Sequence, residues 1–328
     1  MPSASLHPVS DHCDGRLFFN PRRNVNRTLT ELMRWKLGSK AARWPAIVPV
    51  VSSKPPIHTG GITATWINHS TFLLQTPLGN ILTDPVYGER VGPGGLIGPR
   101  RTHAPGIAFA DLPRIDLVLL SHDHYDHCDL PTLARLFKIH SPAAITPLGN
   151  GSLLRAAGWR ADKITELDWW QSQVLTSELR ITLTPSLHWS NRLRGPRNGR
   201  LWGGFFVEVA GTTAHFVGDT GYDKTLFMDI RARLGAPDLA MIPIGAYEPR
   251  WFMSGQHCDP KEAAQIHLDL GARLSLAMHW GTFQLTDEAR EAPPKELAAA
   301  LIEAGMAPDV FRALPPGESA YTTTVSAS

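Results

Sequence analysis

The residues most capable of chemistry lie together at positions 122–127, which read His-Asp-His-Tyr-Asp-His. Only 14 of the 328 residues are histidine, so three of them within six positions are not expected from composition. The cluster directly follows the apolar run 115–120, which predicts a buried strand, and it therefore lies on the loop where that strand ends. Imidazole nitrogens and carboxylate oxygens are ligands for zinc and similar divalent ions. The sequence therefore predicts a metal site here, rather than a polar surface loop with chance histidines.

Further donors follow other apolar segments of the chain. His188, Asp219 and His279 each come directly after, or at the end of, a strand-like stretch. A single histidine at the end of a strand is more often structural than ligating. Together with the first cluster, however, these residues bring the number of donors to seven, which is enough for two metal ions.

The motifs around these donors resemble a known family. They occupy positions 121–129, 218–222, 243–253 and 279–283. The order and spacing of the histidines and aspartates resemble the metallo-β-lactamase superfamily of dinuclear hydrolases. The motif at 243–253, which reads Pro-Ile-Gly-Ala-Tyr-Glu-Pro-Arg-Trp-Phe-Met, is similar to the branch that hydrolyses N-acyl-phosphatidylethanolamine as a phospholipase D. The resemblance extends from about Thr65 to Phe283 and is looser outside those limits.

The resemblance implies a ligand role for every one of the seven donors. Two metal ions would each be held by three side chains and share one carboxylate: His122, His124 and His188 for the first, Asp126, His127 and His279 for the second, and Asp219 as the bridge. The implied cofactors are two zinc ions, although iron or manganese also suits nitrogen and oxygen ligands. An aspartate bridge favours phosphodiester hydrolysis over β-lactam opening, because a cysteine would favour a softer site. Asp126 is also implied to orient the attacking hydroxide.

Two further residues occupy positions that the superfamily uses next to its metals. Asp84 ends the segment 80–84, and His69 follows Asn68. A ligating imidazole usually donates its other N–H to a carboxylate or carbonyl, a role that suits such neighbours. The alternative is that Asp84 caps a turn before Pro85 and His69 packs in the core.

Candidate substrate contacts come from the motifs and from chemistry. His257 precedes a predicted helix that starts at Pro260, and the resemblance places it on a loop lining the cleft, where it would contact phosphate or protonate the leaving group. Tyr222, Tyr247 and Arg250 are predicted substrate contacts, since guanidinium pairs well with phosphate. Alternatively, Arg250 stacks on the neighbouring Trp251 as a structural cation–π pair.

The resemblance implies a zinc-dependent phosphodiesterase. Its expected substrate is an N-acylated phospholipid, cleaved to phosphatidic acid and an N-acylethanolamine. Two alternatives stay open: a hydrolase of a lactone, an amide or another phosphodiester, and a catalytically silent metal-binding protein. The first is open because a fold does not fix its substrate. The intact set of seven donors argues against the second.

Composition narrows the class of protein. The formal net charge of +2 is too small for a nucleic-acid binder that relies on phosphate attraction, and 43% hydrophobic residues can build a large core. The three cysteines are widely spaced, which predicts no disulfide framework and a reducing compartment. Residues 1–7 lack the pattern of a signal peptide, and no stretch approaches the length of a membrane span. We expect a cytoplasmic enzyme.

The sequence divides into a lead-in and a catalytic domain. Residues 1–58 carry Pro and Arg and are expected to pack on the domain formed by 59–328. Strands are predicted at 62–67, 72–75, 81–83, 179–184, 203–209, 214–217 and 239–244, and helices at 130–137 and near 260–270 and 295–304. These segments alone indicate mixed α/β structure. The family resemblance implies a four-layer αβ/βα sandwich, with the donors at one edge of the sheets.

Two segments raise the question of partners. Residues 28–38 predict a short amphipathic helix with basic residues, and 44–51 add apolar surface. Such a helix either lies at a membrane surface, here the inner one, or docks on its own domain. The Gly/Pro-rich stretch 92–99 lacks the Lys-Ser/Thr of a phosphate-binding loop, so it favours a cleft rim or a contact in a homodimer.

Overall fold

The computed structural model describes residues 6–23, 26–57, 60–193 and 195–322. Residues 1–5 and the predicted boundary between 58 and 59 lie outside that range. Within it, the chain forms two seven-stranded sheets flanked by α-helices. None of the helices in the described ranges is long and apolar enough to cross a bilayer.

The first sheet contains the N-terminal strands and one strand from the C-terminus. In chain order these are β1 Thr63–Asn68, β2 Thr71–Thr76, β3 Gly79–Thr83, β4 Leu117–Leu119, β5 Ala143–Pro147, β6 Ile164–Leu167 and β14 Ser319–Tyr321. Their spatial order is β14-β1-β2-β3-β4-β5-β6. Strands β3 to β6 run parallel, so their C-terminal ends meet at one edge of the sheet.

The second sheet has the same number of strands. They are β7 Ser172–Thr176, β8 Leu179–Thr184, β9 Gly204–Val209, β10 Thr212–Phe216, β11 Leu239–Pro243, β12 Leu274–Met278 and β13 Phe311–Arg312, and neighbours follow chain order. Because β8 and β10 are both antiparallel to β9, they point the same way. Since β10 is also parallel to β11 and β12, the C-terminal ends of β8, β10 and β12 share one edge.

Helices cover the outer face of each sheet. Their bounds are α1 Leu29–Gly38, α2 Leu130–His140, α3 Gly151–Ala156, α4 Lys224–Leu234, α5 Arg250–Met253, α6 Pro260–Leu270 and α7 Ala292–Glu303. Helices α2 and α3 pack on the first sheet, and α4, α6 and α7 on the second. The arrangement is the four-layer α/β sandwich that the family resemblance implied.

Strand β4 shows why the apolar run before the histidine cluster is continuous. Leu117 and Leu119 face the core between the two sheets, whereas Val118 and Leu120 face the core beneath α2 and α3. Because successive side chains of a strand point to opposite faces, a strand covered on both sides must be apolar throughout. The buried strand predicted from this run is confirmed.

Most elements lie where the sequence predicted them. Strand β8 and helix α6 match their predicted limits, and Asp259 caps α6 in a reciprocal capping box with Glu262. The elements without a counterpart among the predicted segments are β5, β6, β7, β13, β14, α3, α4 and α5. These are short strands, or helices with few buried positions, and their apolar periodicity is weak.

The predicted N-terminal helix docks on the domain. Thr28 and Glu31 form its capping box, and Trp35 is its buried residue. The Trp35 ring lies 5.0 Å from that of Phe252, centroid to centroid, and its Nε1 donates to Asp287 Oδ2 at 3.0 Å. The apolar side chain of Leu37, by contrast, is 83% exposed. The docking alternative therefore accounts for only part of the apolar face.

We expect Trp35→Ala to release α1 from the domain. Truncating a buried tryptophan costs ~3–5 kcal/mol, and here the loss falls on the contact between the helix and Phe252. Limited proteolysis followed by mass spectrometry should show faster cleavage within residues 28–44. Leu37→Ala is the matched control, because that side chain contributes little to the docked contact. Equal cleavage rates in Trp35→Ala and the unmodified protein would contradict this view of the helix.

Candidate metal centre

The donors predicted from the sequence converge where the C-terminal ends of the strands of the two sheets meet. The cluster 122–127 follows β4, and the remaining donors follow β8, β10 and β12: His188, Asp219 and His279. Apart from His124 and Asp126, which are partly exposed, these donors are buried. Ligand sites of open α/β sheets lie at this end of the strands.

One group of ring nitrogens has the geometry of a metal cradle. The Nδ1 of His124 lies 2.9 Å from His122 Nε2 and 3.1 Å from His188 Nε2. His188 donates its Nδ1–H to the Gln256 carbonyl at 3.0 Å, so its Nε2 carries a lone pair. The single hydrogen of Ser121 Oγ goes to Asp84, so the hydroxyl accepts from His122 Nδ1 and leaves that Nε2 a lone pair too. One hydrogen on His124 Nδ1 could reach these two lone pairs only as a shared donor, whereas a cation would be bound by all three nitrogens.

A second group lies beside the first. It consists of four side chains that each offer one ligand atom: His69, Asp126, His127 and His279. These atoms all lie within 4.8 Å of one another, which is close enough for them to hold one ion. The Oδ2 of Asp126 lies 3.5 Å from His127 Nε2 and 3.4 Å from His279 Nε2. Neither of these ring nitrogens has a hydrogen-bond partner of acceptable geometry among the described residues, although both are buried. Such buried unpaired nitrogens are costly unless a ligand occupies the point they face.

Asp219 connects the two groups. Its Oδ2 lies 3.9 Å from His122 Nε2 and 3.7 Å from His188 Nε2 on one side. On the other side it lies 3.2 Å from His127 Nε2 and 3.0 Å from His279 Nε2. One carboxylate oxygen therefore faces both sets of imidazoles, as the bridging position implied by the resemblance requires. The donor set fits two divalent ions.

Asp84 and His69 contact the donors directly. Asp84 Oδ2 accepts from His127 Nδ1 at 2.6 Å, which directs the Nε2 of that ring towards Asp219. His69 Nε2 lies 3.0 Å from Asp126 Oδ2. Both residues, together with His279, have positive φ angles of 31°, 42° and 63°. Such φ angles are strained for non-glycine residues, and the two contacts place both side chains directly against the predicted ligands.

Electrostatics within the site depend on burial and on the two carboxylates. Burial lowers the pKa of the His69 imidazole to about 3, and burial lowers that of His257 to about 3 as well. Burial disfavours the charged form of His279 too, but the negative charges of Asp219 and Asp126 outweigh burial and raise the pKa of this imidazole to about 9. In the metal-free protein His279 is therefore an imidazolium paired with carboxylates. Since a cation must displace that proton, metal affinity falls as the pH decreases.

A cavity of about 440 Å³ opens above the donors. Its lining includes His124, Asp126, Asp219, His257 and His279, together with an apolar wall formed by side chains of α1 and its neighbours: Leu29, Leu32, Trp35, Phe252, Met253 and Leu285. Its volume lies within the range of about 300–1,000 Å³ found for small-molecule sites. The predicted cleft residue His257 is in place, with its ring 5.1 Å from His188 and 5.2 Å from His279.

Three predicted substrate contacts do not line the cavity. Tyr222 donates its hydroxyl to Asp269 at 2.8 Å, and Tyr247 is buried away from the lining. Arg250 pairs with Glu262 at 2.7 Å and donates to the His257 carbonyl at 2.9 Å. These contacts give Arg250 a structural role in holding the loop that carries His257. The cation on Trp251 is Arg34, not Arg250.

Sequence reasoning missed other residues of the cavity. Trp189 and Arg197 line it, as do Gln256 and the apolar side of α1. Trp189 directly follows a ligand histidine, a signal that could have been used. Arg197 and α1 have no such signal, because each comes from a segment that the fold brings to the site.

The comparisons with known proteins agree with this geometry. Residues 79–280 match a family described as the beta-lactamase superfamily domain. The chain belongs to the metallo-β-lactamase superfamily. It is a metal-dependent hydrolase of that family, and its cluster of histidines and aspartates could hold the metal.

Relatives and one solved structure illustrate the match. An uncharacterized protein of Mycobacterium tuberculosis is 37% identical over 84% of this chain and 74% of its own length. The N-acyl-phosphatidylethanolamine-hydrolyzing phospholipase D 1 of Caenorhabditis elegans is 33% identical over 89% of this chain and 88% of its own. Igni18, a metallo hydrolase from Ignicoccus hospitalis, shares the fold with a TM-score of 0.59 and 22% identity, over 79% of this chain and 97% of Igni18.

We expect Asp84→Asn to weaken metal binding without unfolding the protein. The carboxylate accepts from His127 Nδ1 and Ser121 Oγ at one oxygen and from the Ser121 N–H at the other, whereas the amide has a single acceptor oxygen for these three donors. Loss of such a supporting partner typically lowers metal affinity about 10–100-fold. Competition with a fluorescent chelator measures the affinity, and Asp162→Asn, at an exposed carboxylate, is the control. An unchanged affinity in folded Asp84→Asn would mean that Asp84 does not orient the ligand.

Proposed function

We propose that the protein is a dinuclear zinc-dependent phosphodiesterase that hydrolyses an N-acyl-phosphatidylethanolamine to phosphatidic acid and an N-acylethanolamine. The observation that carries the proposal is the shared Asp219 oxygen between two sets of imidazoles, placed beneath a cavity with an apolar wall. The name of the worm relative supports the substrate. Iron or manganese in place of zinc would be compatible with the same ligands.

The polar and the apolar residues of the cavity have separate roles in the proposed reaction. The seven predicted ligands would hold two divalent ions, which would supply a nucleophile at neutral pH and neutralise charge on the attacking and leaving oxygens. Asp126, which is 14% exposed and faces the cavity, orients the nucleophile. His257, on the loop anchored by Arg250, donates a hydrogen bond from its neutral ring to the leaving oxygen or to the phosphate, since burial lowers the pKa of this imidazole to about 3. The apolar side chains of α1 bind the acyl chains.

Helix α1 also suits a bilayer surface. Leu29 is 73% exposed and Met33 50% exposed, and both lie on the helix that forms the cavity wall. Arg34 lies over the exposed Trp251 at 4.9 Å from the ring, so basic and aromatic groups flank the apolar ones. This combination is typical of helices that lie in a membrane interface. We propose a peripheral contact, at the inner surface of the cytoplasmic membrane, through residues 28–51. The homodimer stays a prediction.

Asp126→Asn tests the reaction. We expect turnover to fall about a hundredfold or more, because the nucleophile loses its orientation while the strands that carry the site are untouched. Mass spectrometry of the products formed from an N-acyl-phosphatidylethanolamine in detergent micelles gives the readout. The exposed Asp111→Asn should behave as the unmodified protein does. No N-acylethanolamine from the zinc-loaded unmodified protein would remove the lipid substrate and leave the metal centre in place.

Met33→Gln combined with Leu37→Gln tests the membrane contact. Both side chains are exposed and neither lines the cavity, so the change removes apolar surface from the bilayer side alone. We expect severalfold weaker co-sedimentation with anionic vesicles and unchanged turnover of a micellar substrate. Leu268→Gln, at an exposed position of α6 that lies outside α1, is the matched control. Unchanged vesicle binding by the double variant would discard the contact.

A further inference from the structure

Arg197 is a cation of the cavity with no anionic partner among the described residues. Its Nε is buried and has no hydrogen-bond partner there, and its guanidinium lies 4.0 Å above the Trp189 ring. Burial alone lowers the pKa of the guanidinium, since no carboxylate lies close enough to raise it. A half-buried cation of this kind costs free energy unless a ligand compensates it.

The other arginine of the cavity is occupied. Arg27 donates its Nε to the Phe252 carbonyl at 2.7 Å, and its Nη1 lies 3.4 Å from Glu31. Arg27 thus holds α1 in place as a structural cation. Arg197 is different, because its guanidinium contacts the Trp189 ring while its Nε has no hydrogen-bond partner among the described residues.

The position of Arg197 relates it to the metal centre through one aromatic ring. The Trp189 ring lies 4.5 Å from the His124 ring, and Arg197 stacks on Trp189. The stack fixes the plane of the guanidinium, since cation–π contacts hold arginine flat on tryptophan. A planar fork of donors that lines the same cavity as the predicted ligands and the apolar side chains of α1 matches a tetrahedral anion attached to a long chain.

We propose that Arg197, held on Trp189, is a specificity-determining residue that binds a non-bridging oxygen of the substrate phosphodiester. It selects amphiphiles that carry a negative charge over neutral amphiphiles of the same chain length. The proposal rests on the proposed phosphodiesterase function and adds to it the residue that recognises the negative charge of the substrate. Arg197 binds and orients the phosphate and takes no part in proton transfer.

Binding of two matched amphiphiles tests the charge selection. We expect Arg197→Gln to weaken binding of methyl hexadecyl phosphate about tenfold or more, as the loss of a charged hydrogen bond does. Binding of neutral N-palmitoylethanolamine should change less than about twofold. Isothermal titration calorimetry on the zinc-loaded protein, above and below the critical micelle concentration, measures both. Arg197→Lys should be intermediate, because it keeps the charge and loses the fork.

Arg233→Gln is the matched control. It removes the same charge and also breaks an arginine–tryptophan contact, with Trp170, but Arg233 lies outside α1 and does not line the cavity. We expect it to leave both affinities unchanged. With the phospholipid substrate, Arg197→Gln should raise KM about tenfold and change kcat less.

The outcomes separate the two proposals. Equal weakening of both amphiphiles by Arg197→Gln would show that Arg197 only shapes the loop, and would overturn the charge selection. Unchanged binding of the phosphate amphiphile would overturn it as well, and in both cases hydrolysis of the phospholipid by the unmodified protein leaves the phosphodiesterase function standing. Failure of the unmodified protein to hydrolyse any phosphodiester would instead remove the proposed function itself.

Discussion

The burial of the Asp219 carboxylate is the constraint on which the rest of the structure depends. A carboxylate taken out of water is costly unless it is paired, and here a single oxygen faces four imidazoles from three different segments of the chain. Those segments belong to both sheets. The strands must therefore end at one shared edge, and the two-sheet sandwich is the arrangement that brings His122 and His279 to the same carboxylate.

The surrounding hydrogen bonds follow from the same constraint. Asp84 is itself buried, and it is satisfied by Ser121 and His127. Each supporting partner fixes a ring tautomer, so the lone pairs face inward. Close backbone packing completes the frame: a Cβ on Gly245 would lie 2.1 Å from the His279 carbonyl oxygen. The loop after β11 can approach His279 only because that position has no side chain.

Features of the fold and the site that depend on neighbouring residues in the sequence could be predicted, whereas those that depend on tertiary contacts could not. The donors at 122–127 and the strand before them are local patterns, and the buried strand and the four-layer fold are confirmed. His188, Asp219 and His279 were predictable because each follows an apolar strand. Arg197 and Tyr222 were not, since their partners Trp189 and Asp269 are fixed by tertiary packing that no spacing in the sequence records.

The metal centre and the apolar wall of the cavity are formed by different parts of the chain. The metal centre depends on strand ends held by two sheets, whereas the apolar wall of the cavity comes from a ten-residue helix docked through Trp35. Substitutions at Leu29 or Leu32 reshape that wall and leave every metal ligand and sheet contact intact. The shape of the cavity can therefore diverge between related proteins through the N-terminal segment alone, while the cluster of histidines and aspartates is inherited unchanged.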